Sequence, residues 1–398
     1  MRISPVTRRH FALAVAALAA AGVVATAVVA LNDHSSAGDG RAGSRTLPRS
    51  APPIAWTDPP VAYAITYRVT DRTGTQWRTT TEVDRVRRPF DARREVHAGP
   101  SVKSPLDSTT ISALGWQKTT SPRAADAVLQ VPPGMPATDV RPDAVRDDAI
   151  DASYFDPAER REVLGRACQV YRTLQPAVAG ALEPAERDGS VHSEICIDAE
   201  GLVLEEVTFR DGHLTHRRVA TALDLSPHLT DADFATSGTP LTLQQGGGSV
   251  RPVAPDSRPP GPEFFELPAP PDGFTMVGRF AVIPPQPQAF TDPTLSDFRR
   301  AGVSDVYQRG ADALIVERGG TVGGKPPFAP VPEAPTVDVG PALGQAAVIL
   351  GLSGTELRVT FADGHYVRVI GTLPVARLTE LARSLVLRPG GELVYLDR

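Results

Sequence analysis

The chain contains two cysteines, Cys168 and Cys196, and each lies in a segment whose residue pattern is typical of a β-strand. Their separation excludes the Cys-x-x-Cys spacing of a thioredoxin-like redox motif or a zinc knuckle. In an oxidising compartment a small, even number of cysteines favours a disulfide, and two buried free thiols are the alternative. We expect a structural Cys168–Cys196 bridge, which would stabilise the fold by roughly 3–4 kcal/mol by restricting the unfolded chain.

Other residue groups that suggest chemistry lack the rest of a site. His213 and His216 would point to opposite faces of a strand, and no third metal ligand lies near them in the sequence. The segment Gly319–Lys325 has the spacing of a phosphate-binding loop, but Pro326 replaces the hydroxyl residue that would reach Mg²⁺. The acidic stretch Asp147–Asp156 lacks the ligand spacing of a calcium loop. The sequence therefore predicts no catalytic residue, no metal site and no cofactor, and we expect a protein that is not an enzyme.

An apolar run near the N-terminus bears on location. It extends from Phe11 to Leu31, about 31 Å as a helix at ~1.5 Å per residue, and follows arginines at Arg2, Arg8 and Arg9. By the positive-inside rule this pattern predicts a transmembrane helix in residues 1–31, with the remaining chain outside the cytoplasm. We therefore expect a single-pass protein of the cell membrane.

A cleaved signal peptide is the alternative for the same segment. Residues Thr7–Leu13 resemble the twin-arginine export motif, and Ala25–Ala27 offers a small-residue cleavage site. Cleavage would give a secreted protein. Both alternatives deliver the chain outside the cytoplasm.

Composition limits the class of partner. The net charge is −5, with acidic and basic residues interspersed, and aromatic residues make up 6%. Nucleic-acid binding would need a basic surface or aromatic stacking platforms, so we expect no nucleic-acid partner. The 39 prolines and 34 glycines alongside 41% hydrophobic residues predict a folded, strand-rich chain with many turns.

Changes in composition along the chain predict its domains. The predicted order is an anchor or uncleaved signal at 1–31, a disordered tether at 32–60, a β-rich domain at 61–240, a Pro/Gly linker at 241–261 and a small α+β domain at 262–398.

Local signals predict the elements within these domains. Asp211-Gly212 and Asp363-Gly364 indicate hairpin turns, and the apolar spacing from Val375 to Leu385 indicates an amphipathic helix. Helical or irregular structure is expected around Asp147–Gly165. Together these signals predict the α+β fold class, with antiparallel strands and covering helices.

Two parts of the chain carry a family resemblance. The segment "CIDAEGLVLEEVTF" and the closing "ATALDLSPHLTDADF" resemble the lipoprotein-carrier (LolA/LolB) half-barrel superfamily, and "PAPPDGFTMVGRF" opens a second module as in the MucB/RseB regulators of anti-sigma factors. The resemblance implies a curved antiparallel half-barrel around a helix with an apolar cleft, then the small α+β domain. It carries no functional residue over individually.

The resemblance implies a binding function in the cell envelope. A lipid, a lipoprotein or a regulatory protein partner is the expected ligand, as in a stress sensor, and the alternative is a structural scaffold of the envelope. The inward strand residues expected to line the cleft are Tyr63, Ile65, Tyr67, Trp77 and Val170. The competing interpretation is that these side chains fill an ordinary core.

Overall fold

Antiparallel β-strands make up most of the structure, a computed structural model. It describes residues 44–47, 54–130, 133–134, 155–173, 191–236, 249–259, 261, 263–283, 300–321, 334–351 and 354–396. The predicted membrane segment, residues 1–31, lies outside the described residues.

The described strands form three sheets, which we call A, B and C. Sheet A contains β1 Ser44–Thr46, β2 Ala62–Thr73, β3 Gln76–Arg87, β4 Asp91–His97, β5 Leu106–Ala113, β6 Trp116–Ser121, β7 Ala124–Gln130, β8 Phe155–Val163, β9 Arg166–Thr173, β10 Val191–Asp198, β11 Val203–Arg210 and β12 His213–Asp224. Sheet B contains β13 Ser249–Val253, β15 Thr275–Ile283, β16 Arg300–Arg309, β17 Asp312–Thr321, β18 Thr336–Asp338, β19 Gln345–Gly351, β20 Gly354–Thr360 and β21 Tyr366–Gly371. Sheet C pairs β14 Glu263–Glu266 with β22 Val386–Pro389, and helix α1 spans Val375–Arg383.

Sequence neighbours pair in most of sheets A and B. The order in sheet A is β1-β8-β9-β10-β11-β12-β2-β3-β4-β5-β6-β7, and in sheet B it is β13-β15-β16-β17-β21-β20-β19-β18. The β11–β12 hairpin turns at Asp211 and Gly212, with φ of 50° and 75°, values that Asp-Gly adopts readily. The hairpin predicted at Asp363-Gly364 joins β20 to β21, and the predicted helix forms as α1. These three local predictions are confirmed.

The α+β fold class is wrong, because the described residues are mostly β and contain α1 as their one α-helix. Segment 155–163 shows the physical reason. Its Ala, Glu and Arg residues have good intrinsic helix propensity, yet it forms β8, which pairs with β9 and, at its end, with β1. Pairing with neighbouring strands overrides local propensity here. The expected half-barrel curves around a helix, whereas the described residues contain no α-helix between the strands of sheet A.

The predicted single-pass localisation is corrected as well. Among the described residues, no helix combines the length and the apolar character needed to span a membrane.

Alternating side chains of β9 and β10 belong to two different hydrophobic clusters. Cys168, Val170 and Cys196 lie in a cluster made of sheet A residues. Tyr171 and Ile195 point the other way and join a cluster with residues of sheet B and α1. The period of two along a strand explains the division. This part of sheet A is therefore buried on both faces, and the two sheets share a core.

The predicted domain boundaries remain a prediction. Residues 249–253 of the predicted linker 241–261 form β13, which pairs with β15. Residues 44–46 of the predicted tether 32–60 form β1 at the edge of sheet A.

Candidate functional site

The disulfide is confirmed and lies in the interior. Cys168 and Cys196 are bonded with sulfur atoms 2.05 Å apart, on the neighbouring strands β9 and β10. Both are fully buried. The bridge therefore has a structural role.

The five predicted cleft residues occupy two places. Tyr63, Ile65, Tyr67 and Val170 are buried in the same cluster as the disulfide. Trp77 lies at the exposed start of β3, with 39% of its surface accessible. The structure thus brings four of the five together and separates the fifth, and a ligand cleft at these positions remains a prediction.

Tyr67 also contacts a buried group of charges. The guanidinium of Arg218 lies 3.4 Å from the centre of the Tyr67 ring, and the Tyr67 hydroxyl donates to the carbonyl of Val203 over 2.8 Å. Burial is the main cause that raises the pKa of Tyr67, so the phenol stays protonated. Arg218 and Arg94 both donate to the carboxylate of Asp84.

The charged side chains of this group keep one another ionised. Burial opposes ionisation of Asp84, but the guanidinium groups of Arg94 and Arg218 outweigh it and hold the pKa of the carboxyl below its ordinary value. Glu82 accepts from Arg218 over 2.9 Å. The group is therefore a paired structural network, and its acids and bases are not set up for proton transfer.

A shallow depression lies on the other face of β2 and β3, beneath the loop between β4 and β5. Its volume is about 190 Å³, and its lining is rich in hydroxyl groups. The lining residues are Thr66, Tyr67, Arg68, Thr81, Pro100, Ser101, Val102 and Thr221. Thr81 donates from its hydroxyl to the carbonyl of Gly99 over 2.8 Å, which ties the loop to β3. The size suits a single side chain or a carboxylate of a larger ligand better than a whole small molecule.

One exposed apolar side chain lines this depression, and two more lie on the same face of sheet A. Val102 in its wall is 50% exposed, Leu106 is 41% exposed, and Trp77 is 39% exposed. Trp77 and Thr81 share the alternation of β3, and Leu106 lies two strands from Thr81 through the pairs Thr81–His97 and His97–Leu106. We call Trp77, Val102, Leu106 and the depression the apical surface.

Several cations lie beside the apical surface, and two of them share the carboxylate of Asp107. Arg68 is exposed in the depression and makes no ion pair within the described residues. Arg78 and Arg123 both lie within 4 Å of the one carboxylate of Asp107, at 3.7 and 3.9 Å. Lys103 adds an exposed cation in the loop. A ligand with carboxylate groups is therefore favoured.

Sequence reasoning named Trp77 only as an inward cleft residue, and it did not name Arg68, Val102 or Leu106. Val102 lies in a loop rich in Gly, Pro and Ser and Leu106 follows that loop, and only the pairing of β3, β4 and β5 places Leu106 on the same face as Trp77. Among the described residues, no group of His, Cys, Asp and Glu is placed to hold a metal ion.

No family model matches the chain, and neither does any curated protein. Solved structures do resemble it. The Pseudomonas aeruginosa MucA/MucB complex is 15% identical, with 83% of this chain and 94% of that chain covered and a TM-score of 0.27. A crystal structure of MucB is 17% identical, with 82% and 92% covered and a TM-score of 0.27. A DUF1329 family protein from Desulfovibrio piger is 10% identical, with 44% and 90% covered and a TM-score of 0.22. With these TM-scores the resemblance to MucB is diffuse.

Proposed function

We propose that the protein is a non-enzymatic binding protein that recognises a protein partner through the apical surface. The partner presents apolar side chains to Trp77, Val102 and Leu106 and a carboxylate to Arg68. The observation that carries this proposal is the placement of three exposed apolar side chains on the same side of sheet A as a hydroxyl-lined depression with an unpaired arginine. Tryptophan and arginine are the residue types that most often dominate binding energy at protein interfaces.

The bridge between Cys168 and Cys196 supports an oxidising compartment as the place of action, because such bonds persist outside the reducing cytosol. An envelope protein partner fits this location. A lipid as the ligand is less favoured, since four of the predicted cleft residues are buried in a core cluster. The depression is also small.

Site-specific photo-cross-linking in the producing cells tests the proposal. A benzoylphenylalanine in place of Val102 is expected to give a discrete cross-linked adduct with one protein. The matched control carries the same group in place of Val277, which is 41% exposed on sheet B. Arg68→Glu, added to the Val102 probe, is expected to abolish the adduct because it reverses the charge that meets the partner. Equal adducts from both probes, or an adduct that persists with Arg68→Glu, would overturn the proposal.

A further inference from the structure

The segment 391–396, which we call the tail segment, covers the outer edge of β13. The Ala254 N–H donates to the carbonyl of Val394 over 2.8 Å, and the Leu396 N–H donates to the carbonyl of Pro252 over 3.1 Å. These two bonds flank an antiparallel bridge between Val253 and Tyr395.

Further bonds hold the rest of the tail segment. The Val394 N–H donates to the hydroxyl of Ser257 over 2.9 Å. The Arg258 N–H donates to the carbonyl of Glu392, and the Gly391 N–H donates to the carbonyl of Pro259. The tail segment is thus an additional edge of sheet B.

In the part of the chain that the structure describes, no strand pairs with the other side of the tail segment. Its bonds to the 252–259 segment use the main chain of residues 391, 392, 394 and 396. Because main-chain groups alternate in direction along an extended chain, those of Leu393 and Tyr395 point away from β13. Within the described residues, these two make no main-chain hydrogen bond.

Four consecutive side chains of this edge, Leu393 to Leu396, are apolar, and the exposed Glu392 precedes them. Val394 is 57% exposed, Tyr395 is 43% exposed and Leu396 is 48% exposed, and Leu393 is half-buried. A row of unpaired main-chain groups with apolar side chains is a template for another strand, and folded proteins usually protect such edges with charge or with a covering element. Beside these side chains, the guanidinium of Arg251 packs over the Tyr395 ring at 5.6 Å.

We propose that a second copy of the chain covers this edge, with the two tail segments paired antiparallel about a twofold axis at Val394. In this register the Leu393 N–H donates to the Tyr395 carbonyl of the other copy, and the Tyr395 N–H of that copy donates to the Leu393 carbonyl. The twofold axis repeats this pair of hydrogen bonds. Val394 then faces Val394, and Tyr395 faces Leu393. The register that satisfies the free main-chain groups therefore places apolar side chains opposite each other in the three central pairs, which stabilises antiparallel pairs, and sets Glu392 opposite Leu396 at each end. This dimer leaves the apical surface, on sheet A, unoccupied.

Disulfide trapping in the full chain tests the register. In the proposed dimer the two Val394 positions form a non-hydrogen-bonded pair with Cα atoms about 4.5 Å apart, within the range that a disulfide bridges. Under mild oxidation, Val394→Cys is expected to give a covalent dimer at least tenfold faster than Leu387→Cys. Leu387 is a suitable control because it is 48% exposed and lies outside the tail segment.

A mixture of two further variants checks the same register. Glu392→Cys and Leu396→Cys lie opposite each other in the proposed pairing, so they are expected to cross-link with each other faster than either does with itself. Equal rates for all variants would overturn the proposed register.

Sedimentation velocity checks association without cysteine. The wild-type chain is expected to show a concentration-dependent dimer, and Tyr395→Lys is expected to be monomeric because lysine on an open edge opposes strand pairing. A wild-type monomer at all concentrations would overturn the proposal. The proposal would also be overturned if Tyr395→Lys still formed the dimer, or if a different protein were found bound to this edge.

Discussion

At the scale of single residues, buried charges in both sheets are consistently paired. Glu356 in β20 accepts from Arg368 at 2.7 and 2.8 Å and from Arg358 at 2.5 Å. Arg368 also donates to Glu317 over 3.0 Å, and the Tyr366 hydroxyl donates to the same carboxylate over 2.8 Å. A buried charge that keeps its partners is tolerated, whereas one that loses them is costly.

The Glu356 carboxyl should make stability depend on acid pH. Burial opposes its ionisation, but Arg368 and Arg358 outweigh burial and lower its pKa from 4.5 to about 2. Since the folded pKa lies below the unfolded one, the stabilisation is present above pH 4.5 and is lost as the pH falls towards 2. We expect a contribution on the order of 3 kcal/mol.

Urea unfolding at a series of pH values measures this contribution. The wild-type chain is expected to exceed Glu356→Gln in free energy of unfolding at pH 7, and the gap should narrow as the pH falls from 4.5 to 2. Parallel curves for the two proteins over that range would show that Glu356 does not carry this pH dependence.

At the scale of elements, the sequence identified the signals that are local. Asp211-Gly212 forms a hairpin turn and the spacing from Val375 predicts α1, because turn chemistry and helical periodicity act within a few residues. The strand β8 was missed because its formation depends on β9, and on β1 from more than a hundred residues earlier.

The candidate site was predicted only in part for the same reason. The strand pattern predicted Trp77 as an inward cleft residue, whereas its side chain is exposed in the structure. Its neighbours Val102 and Leu106 lie in or beside a loop, and Arg68 is one of many arginines in the chain, so only the strand register groups them. The buried pairing of Asp84 with Arg94 and Arg218 likewise joins three different strands and leaves no sequence signal.

The bridge between β9 and β10 should contribute measurably to stability. Reduction is expected to lower the free energy of unfolding by roughly 2–5 kcal/mol, because it releases the constraint on the unfolded chain. Thermal or urea unfolding with and without reductant measures the change. The double variant Cys168→Ser/Cys196→Ser serves as control, since it has no cysteine and should not respond to reductant. An unchanged wild-type curve with both thiols titratable would contradict this role.

At the scale of the whole molecule, the sheets contact each other through the turn between β5 and β6. Gly115 in this turn has a φ of +75°, and a Cβ there would lie 2.9 Å from the Phe280 ring of sheet B. Gly74 in the β2–β3 turn has a similar φ of +62°, but a Cβ there would meet nothing within 4 Å. Both glycines therefore adopt the left-handed backbone conformation, but only Gly115 lies against the other sheet.

Alanine at these two positions separates the contact from the backbone strain. Gly74→Ala is expected to cost about 1–2 kcal/mol for the left-handed backbone. Gly115→Ala is expected to cost a further ~1–3 kcal/mol because the added methyl group displaces Phe280. Urea unfolding of both variants gives the difference. Equal losses would mean that this contact between the sheets contributes little to the fold.

In the proposed function, the apical surface binds a protein partner through Trp77. The most direct test is the Kd of the partner recovered by the Val102 cross-link, measured by isothermal titration with wild-type protein and with Trp77→Ala. A central aromatic contact predicts a loss of at least about tenfold in affinity for Trp77→Ala, and a change within about twofold for the control Val277→Ala. Equal affinities of the wild-type and Trp77→Ala proteins would contradict the account.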